Sequence, residues 1–158
     1  MRYFILLFTF LAMCAGGETK QIVFNCNSGF IPDGDTIFIE GGKYDGKRIR
    51  LKGIDAPERT QAFSRKSQKV LEAKIKGKTL KVIVNEIDKY NRFLGTIYLD
   101  ERNINREMVL EGWAWAYTYK GITEFYEDEM KKARASKQGL WQDKNPMAPW
   151  DFRRKKKF

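Results

Sequence analysis

No histidine occurs anywhere in the 158 residues. That absence excludes imidazole acid–base pairs, Ser-His-Asp triads and zinc sites of the histidine type. Cysteine is almost as scarce: of the two, Cys14 lies in an apolar leader, which leaves Cys26 alone in the remainder, with no internal disulfide and no cysteine-rich zinc site. Cys26 reads as a small core residue. No apolar run is long enough to cross a membrane, since the longest extends only from Tyr3 to Ala15. Acids are in deficit, 20 Asp and Glu against 30 Lys and Arg, giving a formal charge of +10. An excess of that size points to an anionic partner, whether nucleic acid, acidic polysaccharide or anionic membrane, and charge alone does not choose among them. Any catalysis must therefore use carboxylates, arginines, lysines, tyrosines or an oxygen-bound metal.

The short apolar run follows Arg2 and ends in Ala15, Gly16 and Gly17, the arrangement of a secretory signal peptide. The expected division is a leader over 1–17, one globular domain over 18–142 and a proline-punctuated basic tail over 143–158, with the mature protein secreted, periplasmic or at the cell surface. A lipid on Cys14 is the alternative and the only route to a membrane. No protein partner is implied, and the expected state is a monomer.

Within the domain, IVFNCNSGFIPDGDTIFIEGG reads as two strands around Pro32-Asp33-Gly34, and RIRLKGI as a third, with Ile49 and Leu51 facing inward and Arg48, Arg50 and Lys52 outward. A helix is expected over Gln61 to Lys76, closed by Gly77. KTLKVIVNEI and RFLGTIYL are two more strands on either side of DKYN. Asn105 is the expected cap of a short helix ending at Gly112, and Thr123 of a last helix that stops at Gly139. WAWAYTY alternates large and small residues with period two, so it is extended, with Trp113 and Trp115 packing rather than stacking on bases. Five short strands with interspersed helices give an α+β domain or small barrel. The terminal RRKKKF reads as a solvated end that adds nonspecific phosphate contacts.

Three acids stand at turns: Asp35 at the start of a strand, and Asp55 and Glu58 on either side of Ala56-Pro57 just beyond the arginine strand. One acid at a turn is an ordinary turn former. Two or three carboxylates without histidine or cysteine make a hard-cation site, suited to calcium or magnesium with water in the remaining positions. Arg50 lies close before Asp55, and Arg92 follows DKYN. Guanidinium forks beside a carboxylate-bound cation are the parts phosphoryl chemistry needs.

The blocks DGDT, IRLKGIDAPE, DKYNR, NREMVLEGWAWAY and KQGLW, in this order and at these separations, resemble the staphylococcal nuclease (thermonuclease) family over roughly Gln21 to Trp141. The resemblance implies an OB-fold five-stranded β-barrel with about three helices, and calcium-dependent cleavage of DNA and RNA that leaves 3′-phosphates. By motif it implies Asp35 and Asp55 as calcium carboxylates, with Ala56 giving a backbone carbonyl where the best-known member has threonine. It implies Glu58 as general base, Arg50 and Arg92 as the phosphate-binding arginines, and Lys89, Tyr90, Tyr117 and Tyr119 along the nucleotide pocket. Asn91 stands where the best-known member has glycine; asparagine tolerates the left-handed conformation such a turn needs. The route from Glu58 into the first helix is shorter than that member's lysine-rich loop. A noncatalytic OB-type nucleic-acid-binding protein is the alternative, and a cation-rich adhesin is a third class. The clustered acids disfavour both, since carboxylates repel phosphate.

Overall fold

A computed structural model describes residues 21–156; the leader, Cys14 and Lys157 lie outside the described residues. In chain order the elements are β1 (Ile22–Ser28), β2 (Thr36–Glu40), β3 (Arg48–Leu51), β4 (Ile54–Asp55), α1 (Ser64–Ile75), β5 (Thr79–Ile87), β6 (Phe93–Leu99), β7 (Arg102–Asn103), α2 (Ile104–Leu110), β8 (Trp115–Ala116), β9 (Thr118–Tyr119), β10 (Ile122–Thr123), α3 (Glu127–Ala135), a 3₁₀ turn (Gly139–Gln142) and α4 (Pro149–Lys155). Strands β3-β2-β1-β5-β6 follow one another by antiparallel pairing, and β3 then pairs with β6 in parallel, Ile49 opposite Phe93 and Leu51 opposite Gly95. That last pairing closes the sheet into a five-stranded barrel and removes its open edges. The expected OB-fold barrel is what the chain forms. No helix among the described residues is long and apolar enough to cross a membrane.

The period-two pattern explains the core. Ile37, Ile49, Leu51, Leu80, Val82 and Ile97 alternate with outward residues on their strands and are fully enclosed, where they meet Leu71 and Ile75 of α1 and Met108 of α2. Cys26 is buried in the same core. Trp115 packs at 4.4 Å from Trp141, and Arg134 lies 4.3 Å over the Trp141 ring, so the tryptophan strip is packing, as its alternation suggests.

Three helix starts differ from the sequence reading, each because a local group has another task. α1 begins at Ser64 rather than Gln61, since the Gln61 side chain accepts from Glu58 N–H at 3.0 Å and donates to the Met147 carbonyl at 2.6 Å. α2 is capped by Asn103, whose side chain accepts from Arg106 N–H. Asn105 is instead fully buried, accepting from Ile97 N–H and donating to the Lys52 and Gly95 carbonyls, which ties α2 to the barrel wall below the site. α3 starts at Glu127 after Tyr126 in a left-handed conformation, while Thr123 bonds Thr118 across the β9–β10 hairpin at 2.7 Å.

The tail differs most. Residues 153–155, read as part of a solvated end, fall in α4, which has Pro149 in its first turn, where proline's missing N–H costs nothing. Trp150 stacks edge-on against Trp115 at 5.6 Å and Tyr117 at 6.2 Å, which seats the helix on the barrel.

Candidate active site

Two glycines bring the acids together. Gly34 lets the turn before β2 press against α1 and the β4 exit: a Cβ there would lie 1.8 Å from Ser67 Oγ and 2.9 Å from the Ala56 Cβ. Asp35 follows, with its N–H on the Asp33 carboxylate at 3.1 Å and its own Oδ2 accepting from Ala56 N–H at 2.6 Å. Gly53, at φ 78°, turns the chain from β3 into β4, and a side chain there would strike Phe125. β4 then pairs with β8, Asp55 opposite Trp115, and leaves Asp55 only 2% exposed.

Arg50 sits between the two aspartates. Its fork reaches Asp35 Oδ2 at 2.9 Å and Asp55 Oδ1 at 2.8 Å, and Nη1 also donates to the Ile54 carbonyl at 3.0 Å. Arg92 is held a short way off. The Asp88 carboxylate takes the N–H groups of Tyr90 and Arg92 and pairs with the Arg92 guanidinium at 2.7 Å. Burial pushes the Asp88 carboxyl up, but those donors outweigh it and hold it below the usual carboxylate range. Asn91 adopts the left-handed conformation expected of it, at φ 58°, and aims Arg92.

One open cleft of about 1230 Å³ is lined by Asp35, Arg50, Asp55, Ala56, Glu58, Lys89, Tyr90, Arg92 and Tyr117. Nine of the ten site residues named from the sequence are thus brought together. Tyr119 is not: it lies on the β9–β10 hairpin, 61% exposed and away from the cleft lining. The reason is geometric, because Tyr117 is the break between β8 and β9 and stays beside the cleft, while Tyr119 lies past it on the hairpin.

Burial dominates the electrostatics. It pushes the Asp35 carboxyl up to about 6, against the pull of Arg50 and with some help from Asp33. Burial also raises Asp55, against Arg153 and Arg50 and with Asp35 adding to the rise. Among the described residues the ion pairs of Asp35, Asp55 and Glu58 are to Arg50 and Arg153, which leaves one formal negative charge on these five side chains. That residue of negative charge, on oxygen donors only, suits a hard cation. Among the described residues no three acidic, histidine or cysteine side chains converge as a ready metal cage. A cation would therefore be held by Asp35 and Asp55, with backbone carbonyl and water completing its shell; the Ala56 N–H that donates to Asp35 belongs to the Asp55–Ala56 peptide and ties the two acids' turns together.

The shifted acids make metal-free stability depend on pH in two opposite ways. The folded value of Asp35 lies above its ordinary 3.8, so its contribution is complete below about pH 4 and is lost as pH rises through about 6. Glu107, held at about 2 chiefly by its hydrogen bond to Arg102 and secondarily by Lys74, contributes above 4.5 and loses that contribution as pH falls toward 2. In chelator, the unfolding temperature should rise from pH 2 to about 4.5 and then decline toward pH 7, and Asp35→Asn should remove much of the decline. A wild-type unfolding temperature that keeps rising through pH 6 is incompatible with a buried Asp35 of raised pKa.

Two residues at the site escaped the sequence reading. Asp88 was legible as a turn former but not as the holder of Arg92. Arg153, from α4, reaches Asp55 Oδ2 at 2.8 Å and Glu58 Oε1 at 2.5 Å. Its signal was the helix-starting Pro149 with apolar Trp150 and Phe152 in a segment otherwise read as basic.

The pattern of the staphylococcal nuclease homologue family matches residues 48–143. An uncharacterized endonuclease of Haemophilus influenzae is 37% identical over 156 residues, covering 98% of this chain and 84% of that protein. A micrococcal nuclease of Shigella flexneri is 40% identical over 139 residues, covering 80% and 79%. A probable staphylococcal-like nuclease of Oryza sativa subsp. japonica is 41% identical over 108 residues, where the match takes in 68% of this chain but 28% of the plant protein. With a barrel closed by β3 and β6 and acids and arginines gathered at one cleft, this chain belongs to the family of staphylococcal nuclease homologues.

Proposed function

We propose that this protein is a calcium-dependent nuclease that hydrolyses phosphodiester bonds in DNA and RNA and leaves 3′-phosphates. Its family membership supports nuclease action, and the observation that carries the reading is Arg50 forked between the two buried aspartates, with Glu58 and Arg92 in the same cleft. A pure binding surface for nucleic acid would gain nothing from three carboxylates set against phosphate.

In this reading Asp35, Asp55 and the Ala56 carbonyl hold calcium, which when bound polarises a phosphate oxygen and lowers the cost of charge on it. Glu58, 37% exposed at the cleft wall, takes the proton from the attacking water. Arg50 and Arg92 offer planar forks to the phosphate oxygens. Lys89, Tyr90 and Tyr117 line the side on which a nucleotide would lie, where Tyr90 is open to stacking at 60% exposure. Export belongs to the same proposal and rests on the apolar leader; intact Met1 on protein from the native host is incompatible with it.

The test is cleavage of plasmid and of labelled RNA with calcium, magnesium or chelator, followed by end-group analysis. Two carboxylates, a carbonyl and water form a flexible shell, so calcium should support activity and magnesium only weakly. Asp35→Ala should raise the calcium needed for half-maximal rate by at least about tenfold, as for other losses at a metal shell. Full activity of Asp35→Ala in chelator, or 5′-phosphate products, would overturn the assignment.

A further inference from the structure

The proposed mechanism leaves Arg153 unused, yet among the described residues no other cation pairs with Glu58. Arg153 Nη1 donates to Glu58 Oε1 at 2.5 Å and to Asp55 Oδ1 at 3.3 Å, and Nη2 donates to Asp55 Oδ2 at 2.8 Å. One guanidinium therefore spans the fixed Asp55 and the half-exposed Glu58. It sits in a larger set of ties between residues 147–156 and the turn that carries Glu58. Gln61 bridges Glu58 N–H to the Met147 carbonyl, and Lys156 Nζ donates to Thr60 Oγ1 at 3.0 Å. Trp150 anchors the helix on Trp115 and Tyr117. Residues 147–156 lie beyond the stretch that the family pattern covers, residues 48–143.

We propose that α4 is a clamp on the Glu58 turn and that Arg153 is a positioning residue for Glu58. A carboxylate on a short exposed turn samples several rotamers, and only some place an oxygen where it can take a proton from water attacking a phosphate at Arg50 and Arg92. A guanidinium forked on Asp55, fixed by a helix and donating one bond to Glu58 Oε1, selects one of them. Asp55, held from its other side by Arg50, supplies the rigid reference point. The inference rests on the reading of Glu58 as general base.

The experiment is a double-mutant cycle in single-turnover cleavage at saturating calcium and oligonucleotide, with Arg153→Ala, Arg153→Lys, Glu58→Gln and the combination of Arg153→Ala with Glu58→Gln. Amide exchange at Glu58 and Gln61 is read in parallel. Arg153→Ala should lower the rate constant about 10- to 100-fold, the cost of a misplaced group, with oligonucleotide affinity changed less than about threefold. Arg153→Lys should recover part of the loss. Exchange at the turn should quicken by about tenfold as the clamp opens. In the Glu58→Gln background, Arg153→Ala should have less than about a twofold further effect, because the two act as one unit.

The arms separate the ways of failing. Glu58→Gln at the parent rate removes the general-base reading itself. If Glu58→Gln is slow and Arg153→Ala is not, the clamp is wrong and the base stands. An equal loss from Arg153→Ala in both backgrounds means that Arg153 acts directly on substrate. A faster Arg153→Ala enzyme with a lower calcium midpoint in a parallel calcium titration means that Arg153 competes with the cation and overturns the clamp. Unchanged amide exchange overturns the clamp whatever the rates do.

Discussion

Glu58→Gln should lower the single-turnover rate constant for cleavage of a short labelled oligonucleotide by about 10² to 10⁴-fold, the usual worth of general-base assistance, while its affinity for the oligonucleotide changes little. The substitution isolates proton affinity because it preserves shape. Glutamine keeps an oxygen that can accept from Arg153, and the backbone N–H of residue 58 keeps its bond to Gln61, since neither contact requires a charge at position 58. The buried aspartates are untouched. A loss of rate without loss of binding or fold, the last checked by circular dichroism, therefore reports on proton transfer. A parent-like rate would make Glu58 a turn residue paired to a structural arginine and would end the mechanism proposed above.

The five barrel strands were legible because two independent signals agreed on them, while the closed OB-type barrel came from the family resemblance. Period-two alternation placed Ile49 and Leu51 inward and Arg50 outward, and turn residues such as Pro32-Asp33-Gly34 marked where strands stop. Helix starts were less legible because asparagine and threonine have several uses. Asn103 and Asn105 are equivalent by capping preference, and only the tertiary fold decides that Asn105 satisfies three buried backbone groups while Asn103 takes the cap. Most of the cleft was legible from its motifs, since Asp35, Arg50, Asp55 and Glu58 are bound to turns and strand ends whose geometry is local.

Arg153 was not legible for the opposite reason. Its partners lie 98 and 95 positions away in sequence, and no spacing rule reaches that far. Five consecutive cations look alike on paper, yet the helical turn sets Arg153 on Asp55 and Glu58 and leaves Arg154 to pair with Asp151. A solvated basic end, as the sequence reads, would lose only phosphate contacts on removal of residues 153–157. With Arg153 on Glu58, turnover falls as well.

The second large effect is expected of the two cleft arginines, and the structure separates them in a way the sequence did not. Arg50→Lys and Arg92→Lys should each cost about 2.7 to 4 kcal/mol of transition-state stabilisation, the order seen when one preorganised electrostatic donor is removed, because an ammonium cannot reproduce the planar fork. Their effects on the resting protein should diverge. Arg50 is 16% exposed and serves Asp35, Asp55 and the Ile54 carbonyl at once, so a lysine at position 50 leaves at least one buried acceptor without its donor. That omission costs about 1–3 kcal/mol of folding stability. Arg92 is 25% exposed and, among the described residues, has its ion pair with Asp88 near the surface, a contact lysine can largely keep, so Arg92→Lys should unfold at nearly the parent urea midpoint. Single-turnover rates at saturating oligonucleotide, read beside urea titrations of each variant, give both quantities. If both variants bind more weakly yet keep the parent rate at saturation, the arginines hold the substrate without stabilising its transition state. If Arg50→Lys alone loses rate, Arg92 remains on Asp88 throughout turnover, and phosphate recognition falls to Arg50 alone.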